Sequence, residues 1–140
     1  MRAFLDTNVL ADFLMTGRPC HDEAVAIFEN LQRHTFEAFV TTQSLIDLAY
    51  ISAKFENGKE QFPVFTEWIT EHINVRPIEV FSINEALRDK NPDFEDNAQI
   101  SAAIDIGCDV FITSDNGILS RHSDGSIDFI SPSDFLGRKE

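Results

Sequence analysis

Arg2-Ala3-Phe4-Leu5-Asp6-Thr7-Asn8-Val9-Leu10 is the stretch on which the fold turns. Arg2 to Leu5 has the length and apolar content of a short buried strand, and an acid follows it directly. From Val9 to Met15 the apolar residues fit a short helix, which stops before the turn Thr16-Gly17-Arg18-Pro19. Working outward, the same alternation continues. Asp22 to Leu31 carries Ala24, Ile27, Phe28 and Leu31 at helical spacing, and Phe39-Val40-Thr41 is a second strand. A helix from about Ser44 to Phe55 turns Leu45, Leu48, Ile51 and Phe55 inward and ends near Asn57-Gly58. Another, Glu60 to His72, turns in Phe62, Phe65, Trp68 and Ile69.

Val75 to Phe81 reads as extended, with Pro77 marking an edge strand, and Ser82 caps a short helix through Leu87. After the loop Asn91-Pro92-Asp93 comes an alanine-rich helix, Glu95 to Ile106, closed by Gly107. Asp109 to Thr113 is a strand, Asn116 to Leu119 a helical turn, Ile127 to Ile130 a last strand and Pro132 to Leu136 a final turn, before a tail, Arg138-Lys139-Glu140, expected to fray. Short apolar strands alternating with helices predict an α/β fold: a three-layer α/β/α sandwich around a central, mostly parallel sheet. The 140 residues fit a single domain, 1–140, with no repeat or linker.

Composition bounds the function. Apolar residues make up 43% of the chain, and the 13 phenylalanines fill a core. No apolar run is long enough to cross a bilayer, and Met1-Arg2-Ala3-Phe4-Leu5-Asp6 lacks a secretory pattern, so a cytoplasmic location is expected. Cys20 and Cys108 stand far apart and read as free, buried thiols of a reducing compartment. Twenty-four acidic residues against eleven basic ones give a net charge of −13, which repels phosphate backbones. Either the protein avoids nucleic acid, or its negative charge gathers at a site that cations neutralise.

The placement of the acids favours the second. Asp6 and Asp115 follow strands, and ligands of open α/β sheets bind outside the carboxyl ends of strands, so both should point into one crevice. Asp47 and Asp96 fall in the first turns of their helices, where a carboxylate meets the positive end of the dipole. Each has an ordinary explanation taken singly. Asp6 would cap the helix near Val9, Asp96 would be a first-turn acid, and Asp115 would open a turn with Asn116-Gly117. Asp47 resists best, because Ile46 and Leu48 flank it and an unpaired buried charge is costly. Four carboxylates brought together raise one another's pKa, and a hard divalent cation reverses that penalty.

At this point the residues resemble a known family. Phe4-Leu5-Asp6-Thr7-Asn8-Val9-Leu10 is similar to the opening motif of PIN domains, found in the VapC-like toxins of bacterial toxin–antitoxin pairs. Thr41-Thr42-Gln43-Ser44-Leu45-Ile46-Asp47-Leu48-Ala49 resembles the second motif, with Asp where the family usually has Glu. Asp93-Phe94-Glu95-Asp96-Asn97-Ala98-Gln99 resembles the third, with the site acid placed at Asp96, and Phe111-Ile112-Thr113-Ser114-Asp115 the fourth. The resemblance runs from Phe4 to about Leu136 with the motifs in the family's order. It implies a metal-dependent endoribonuclease in which Asp6, Asp96 and Asp115 hold Mg²⁺ or Mn²⁺, Asp47 contacts it directly or through water, and Asn8 and Thr113 support the shell. It also implies an RNA substrate, an antitoxin partner whose basic segment the charge would attract, and a homodimer.

Two competing classes remain. A catalytically silent module would use its acid pocket only to receive a basic partner segment. A phosphatase of the HAD type also begins with a strand-end Asp but needs a second acid two residues on, where this chain has Asn8. Asp12 is read as part of a solvated helix face, and Asp93 or Glu95 replaces Asp96 if the register is shifted. His21, His34, His72 and His122 share no ligand spacing and are placed at the surface. Arg18, Lys54, Lys59 and Arg121 fall in or near loops within reach of RNA phosphates, though each alone reads as an ordinary solvated charge.

Overall fold

The computed structural model describes residues 1–138, so Lys139 and Glu140, the end of the tail expected to fray, lie outside the described residues. Strand β1 (Arg2–Leu5) lies at the centre of the sheet. β2 (Glu37–Thr41) and then β3 (Asn74–Arg76) extend it on one side, β4 (Val110–Ile112) and then β5 (Asp128–Ile130) on the other. Every pairing between these strands is parallel.

The strands alternate strictly between two cores. Ala3, Leu5, Ala38, Val40, Val110 and Ile112 face one, while Phe4, Phe39 and Phe111 face the other. That is the period-2 pattern of a sheet covered on both faces. The helices α1 (Thr7–Leu14), α2 (His21–Gln32), α3 (Thr42–Ser52) and α4 (Gly58–His72), with α8 (Pro132–Gly137), cover the first face. On the second face lie α6 (Phe94–Ile106), with α5 (Val80–Arg88) packed against it, and the short α7 (Asn116–Leu119). The expected three-layer sandwich is the observed one. On the second face the Phe4 and Phe111 rings stack 4.9 Å apart, and burying each such side chain stabilises the fold by about 1.5–3 kcal/mol. Among the described residues, no helix is long and apolar enough to cross a membrane.

Several boundaries differ from expectation. α3 begins at Thr42, because Thr41 caps it by accepting from the Ser44 N–H at 3.1 Å. Asp47 therefore sits in the second turn, further from the helix dipole's positive end than the sequence implied. α3 also ends at Ser52, which leaves Phe55 in the following turn, 40% exposed and outside the core. The segment read as one strand from Val75 to Phe81 is divided: β3 stops at Arg76, before Pro77, which has no N–H to continue a ladder. Val80 and Phe81 then open α5, 73% and 62% exposed, and Ser82 lies inside that helix and not at its cap. Cys108 is buried but Cys20 is only half-buried; both are free.

The chain leaves β1 for β2 and β3, then returns to lay β4 on the other flank of β1. The direction of winding reverses between β1 and β4, and the crevice at their carboxyl ends is where such a sheet binds ligands.

Candidate active site

Asp6 and Thr113 are the first residues beyond β1 and β4, and the register that pairs Leu5 with Ile112 sets them side by side. The Asp6 N–H closes the ladder on the Ile112 carbonyl at 3.0 Å. Both carboxylate oxygens are engaged. Oδ1 caps α1 by accepting from the Thr7 N–H at 2.8 Å, and Oδ2 accepts from the Thr113 hydroxyl at 2.7 Å. The capping role expected of a bland aspartate is real, but it occupies only one oxygen. Asp6 is buried, and its carboxyl is pushed up to about 6, first by that burial and then by the charges of Asp115 and Asp12, against the lowering pull of the two donors.

The Thr113 hydroxyl also accepts from the Asp115 N–H at 3.0 Å, so one buried side chain orients two of the acids. Asp115 caps α7 through a 2.7 Å bond from the Gly117 N–H. Asp96, half-buried in the first turn of α6, is pushed up to about 7 by burial and then by Asp93, Asp115 and Asp6. Asp115, beyond β4, therefore acts on both Asp6, beyond β1, and Asp96, on α6, at the switch point.

Asp93 is the N-cap of α6, accepting from the Asp96 N–H at 3.1 Å. Glu95 is raised by burial and then by the neighbouring Asp47 carboxyl, with Asp93 and Asp6 adding. Asp47 accepts from Gln43 Nε2 at 2.9 Å through Oδ1, whereas its Oδ2 is buried without a donor. Gln99, one turn after Asp96, meets the Thr41 hydroxyl at 2.9 Å and the Ser44 hydroxyl at 3.1 Å, tying α6 to the start of α3. Asn8 is half-buried, and its amide oxygen receives a long 3.5 Å contact from Arg18 Nη2.

Three expectations are overturned. Asp12 is not on a solvated face: it is 3% exposed and pairs with Arg18 Nε at 2.7 Å, with the Ser114 hydroxyl 3.5 Å away. Arg18 and Arg121 are not ordinary solvated charges either; Arg121 donates to Asn97 Oδ1 at 2.8 Å and stands 3.9 Å from Asp96 Oδ2. The signal for Asp12 was present in Val9-Leu10-Ala11-Asp12-Phe13-Leu14-Met15, where a lone acid interrupts an apolar helix and must be buried with it. Lys54, Lys59, His34, His72 and His122 are exposed as expected, and His21, half-buried, bonds the Asp12 carbonyl through Nδ1 at 2.8 Å.

Among the described residues, no three acid, histidine or cysteine side chains are drawn close enough to enclose an ion as they stand. Both Asp6 oxygens are already bonded, to the Thr7 N–H and the Thr113 hydroxyl. The donor set nonetheless suits a hard divalent cation: Asp6 and Asp96, raised by burial and by neighbouring acids, and one buried Asp47 oxygen without a donor.

A PIN domain family model matches residues 2–117. The chain belongs to the PIN domain family. This PIN domain also shares its fold with solved structures of low sequence identity. VapBC2 from Rickettsia felis, bound to a DNA fragment from its promoter, superposes with a TM-score of 0.68 at 16% identity, over 94% of this chain and 98% of that one. VapBC-1 from nontypeable Haemophilus influenzae gives 0.63 at 17% identity, covering 95% and 99%. Mycobacterium tuberculosis VapC20, a toxin that cleaves the sarcin–ricin loop, gives 0.63 at 12%, covering 78% and 86%. No curated protein sequence matches the chain.

Proposed function

We propose that this PIN domain is a divalent-metal-dependent endoribonuclease and the toxin of a toxin–antitoxin pair, acting in the cytoplasm. The observation that carries the proposal is the gathering of Asp6, Asp96 and Asp115 at the switch-point crevice, where the Asp115 charge helps to raise Asp6 and the charges of Asp115 and Asp6 help to raise Asp96. Asp6, Asp96 and Asp115 would hold Mg²⁺ or Mn²⁺, with Asp47 direct or through water. Such an ion lowers the pKa of a bound water and stabilises charge on a phosphate oxygen.

The chain's own residues prepare that chemistry. Thr113 fixes the Asp6 carboxylate through its hydroxyl and the Asp115 backbone through its oxygen. Gln99 fixes the helix that carries Asp96. Glu95 at the surface and Asp47 beside it supply a further pair of carboxyls at the rim. The partners proposed are an RNA substrate, a second copy of the chain, and an antitoxin whose basic segment the −13 charge attracts. The VapBC assemblies of shared fold support the last. Incubating the purified chain with single-stranded RNA, with and without Mn²⁺ or Mg²⁺, tests the activity. Cleavage that needs the ion supports the proposal, and cleavage that persists in excess chelator contradicts it.

A further inference from the structure

A chain of net charge −13 repels RNA at long range, so whatever holds the substrate must be local. Two guanidiniums stand beside the acid cluster, one from each helical layer. Arg18, in the turn after α1, donates from Nε to Asp12 at 2.7 Å and reaches Asn8 from Nη2 only at 3.5 Å. Arg121, in the loop after α7, donates from Nη1 to Asn97 at 2.8 Å, while its Nη2 lies 3.9 Å from Asp96 Oδ2, beyond hydrogen-bonding distance.

The two share a plan. Each is anchored through one nitrogen by a side chain that is itself 3% exposed, Asp12 or Asn97. Asn97 is in turn fixed by bonds from Nδ2 to the Asn91 carbonyl at 2.8 Å and the Ala86 carbonyl at 3.3 Å. Each then brings an Nη group, with only a long contact, up to a residue of the acid site. The side chains keep 23% and 12% exposure; Arg121 Nε is buried without a partner, so Arg121 can meet a ligand only through its Nη groups. A charge that only neutralised Asp12 would need one donor; the guanidinium carries further N–H donors, here the long-contact Nη2 groups, that suit a phosphate oxygen. Arg2 and Arg138 belong to the opposite end of the sheet, beside Asp109 and Asp128 at the starts of β4 and β5.

We propose that Arg18 and Arg121 form a two-sided phosphate clamp, gripping the RNA backbone on either side of the phosphate that is cut. This rests on the ribonuclease reading above. Because both forks are held in place beforehand, binding costs little side-chain ordering.

The test uses the full chain and a fluorescent single-stranded RNA, with KM and kcat measured in Mn²⁺ over a range of salt. Arg18→Gln and Arg121→Gln are each expected to raise KM about tenfold with little change in kcat, the loss of one charged hydrogen bond. Each should also flatten the slope of log KM against log salt by about 0.7, the loss of one phosphate contact on a single strand. A merely structural arginine would leave that slope alone. Arg18→Lys and Arg121→Lys keep the charge, and should keep the slope while KM still rises. If a Gln variant does not fold, its Lys counterpart decides: a raised KM supports the clamp and a wild-type KM overturns it. An unchanged slope in the folded Gln variants, or a lost kcat at wild-type KM, overturns the clamp and leaves the ribonuclease reading standing. A wild-type chain that cuts no RNA with either ion removes that reading and the clamp with it.

Discussion

Thr113 shows how much of the site depends on a single hydroxyl, since it donates to Asp6 and accepts from the Asp115 N–H. Thr113→Val keeps the shape and removes both bonds, leaving a half-buried N–H without a partner. The expected cost is about 1–3 kcal/mol in a thermal melt, with metal-dependent cleavage falling as the two acids lose their orientation. Asp6 gives the opposite sign. Its folded pKa of about 6 lies above the ordinary 3.8, so the folded protein binds more protons than the unfolded chain between those values. The metal-free protein should therefore lose stability as pH rises through that window, by an amount of order 2–3 kcal/mol from Asp6 alone, and lose no more from Asp6 above it. Asp6→Asn should flatten this fall and melt above wild type at pH 8 in chelator. An unchanged pH profile of Tm in that variant would mean that Asp6 is not the strained acid. Strand-end acids such as Asp6 and Asp115 were legible because their neighbours in sequence are their structural setting. Arg121 was not, since its partners Asn97 and Asp96 are brought to it only by the fold.

Elements were legible where their apolar pattern was simple. β1, β2 and β4 are short runs buried on both faces, and α6 is bounded by Asp93 at its start and Gly107 in the left-handed region, φ 84°, at its end. The β3–α5 region misled because Val80 and Phe81 look like strand residues yet lie exposed on a helix whose inner face is Ser82 and Ala86. The α3–α4 junction offers a test at this scale. A Cβ at Gly58 would stand 1.7 Å from the Ser52 carbonyl oxygen, so the backbone must move to admit one. Gly58→Ala is expected to destabilise by about 1–3 kcal/mol in denaturant unfolding. A variant as stable as wild type would show that this turn has room the structure does not display. Gln99→Leu is expected to lower Tm and weaken Mn²⁺ binding together, because it uncouples α6 from the start of α3.

At the scale of the molecule, charge sets the terms. The −13 balance that argued against nucleic acid is concentrated in part at one crevice, where a guanidinium of the chain already pairs with Asp12 and where the proposed divalent ion and basic partner segment would meet the same charge. An antitoxin binding there is expected to weaken as salt rises, since screening shortens the reach of the field. Affinity independent of salt, measured with a co-purified partner, would place the interface elsewhere. The central claim is that the crevice aspartates hold an ion without which RNA is not cut. It is tested most directly by assaying wild type, Asp6→Asn and Asp96→Asn side by side on single-stranded RNA, in Mn²⁺ and in excess EDTA. The expected result is cleavage by wild type in Mn²⁺ alone, with both variants folded and inactive; full activity in either variant, or in EDTA, would contradict it.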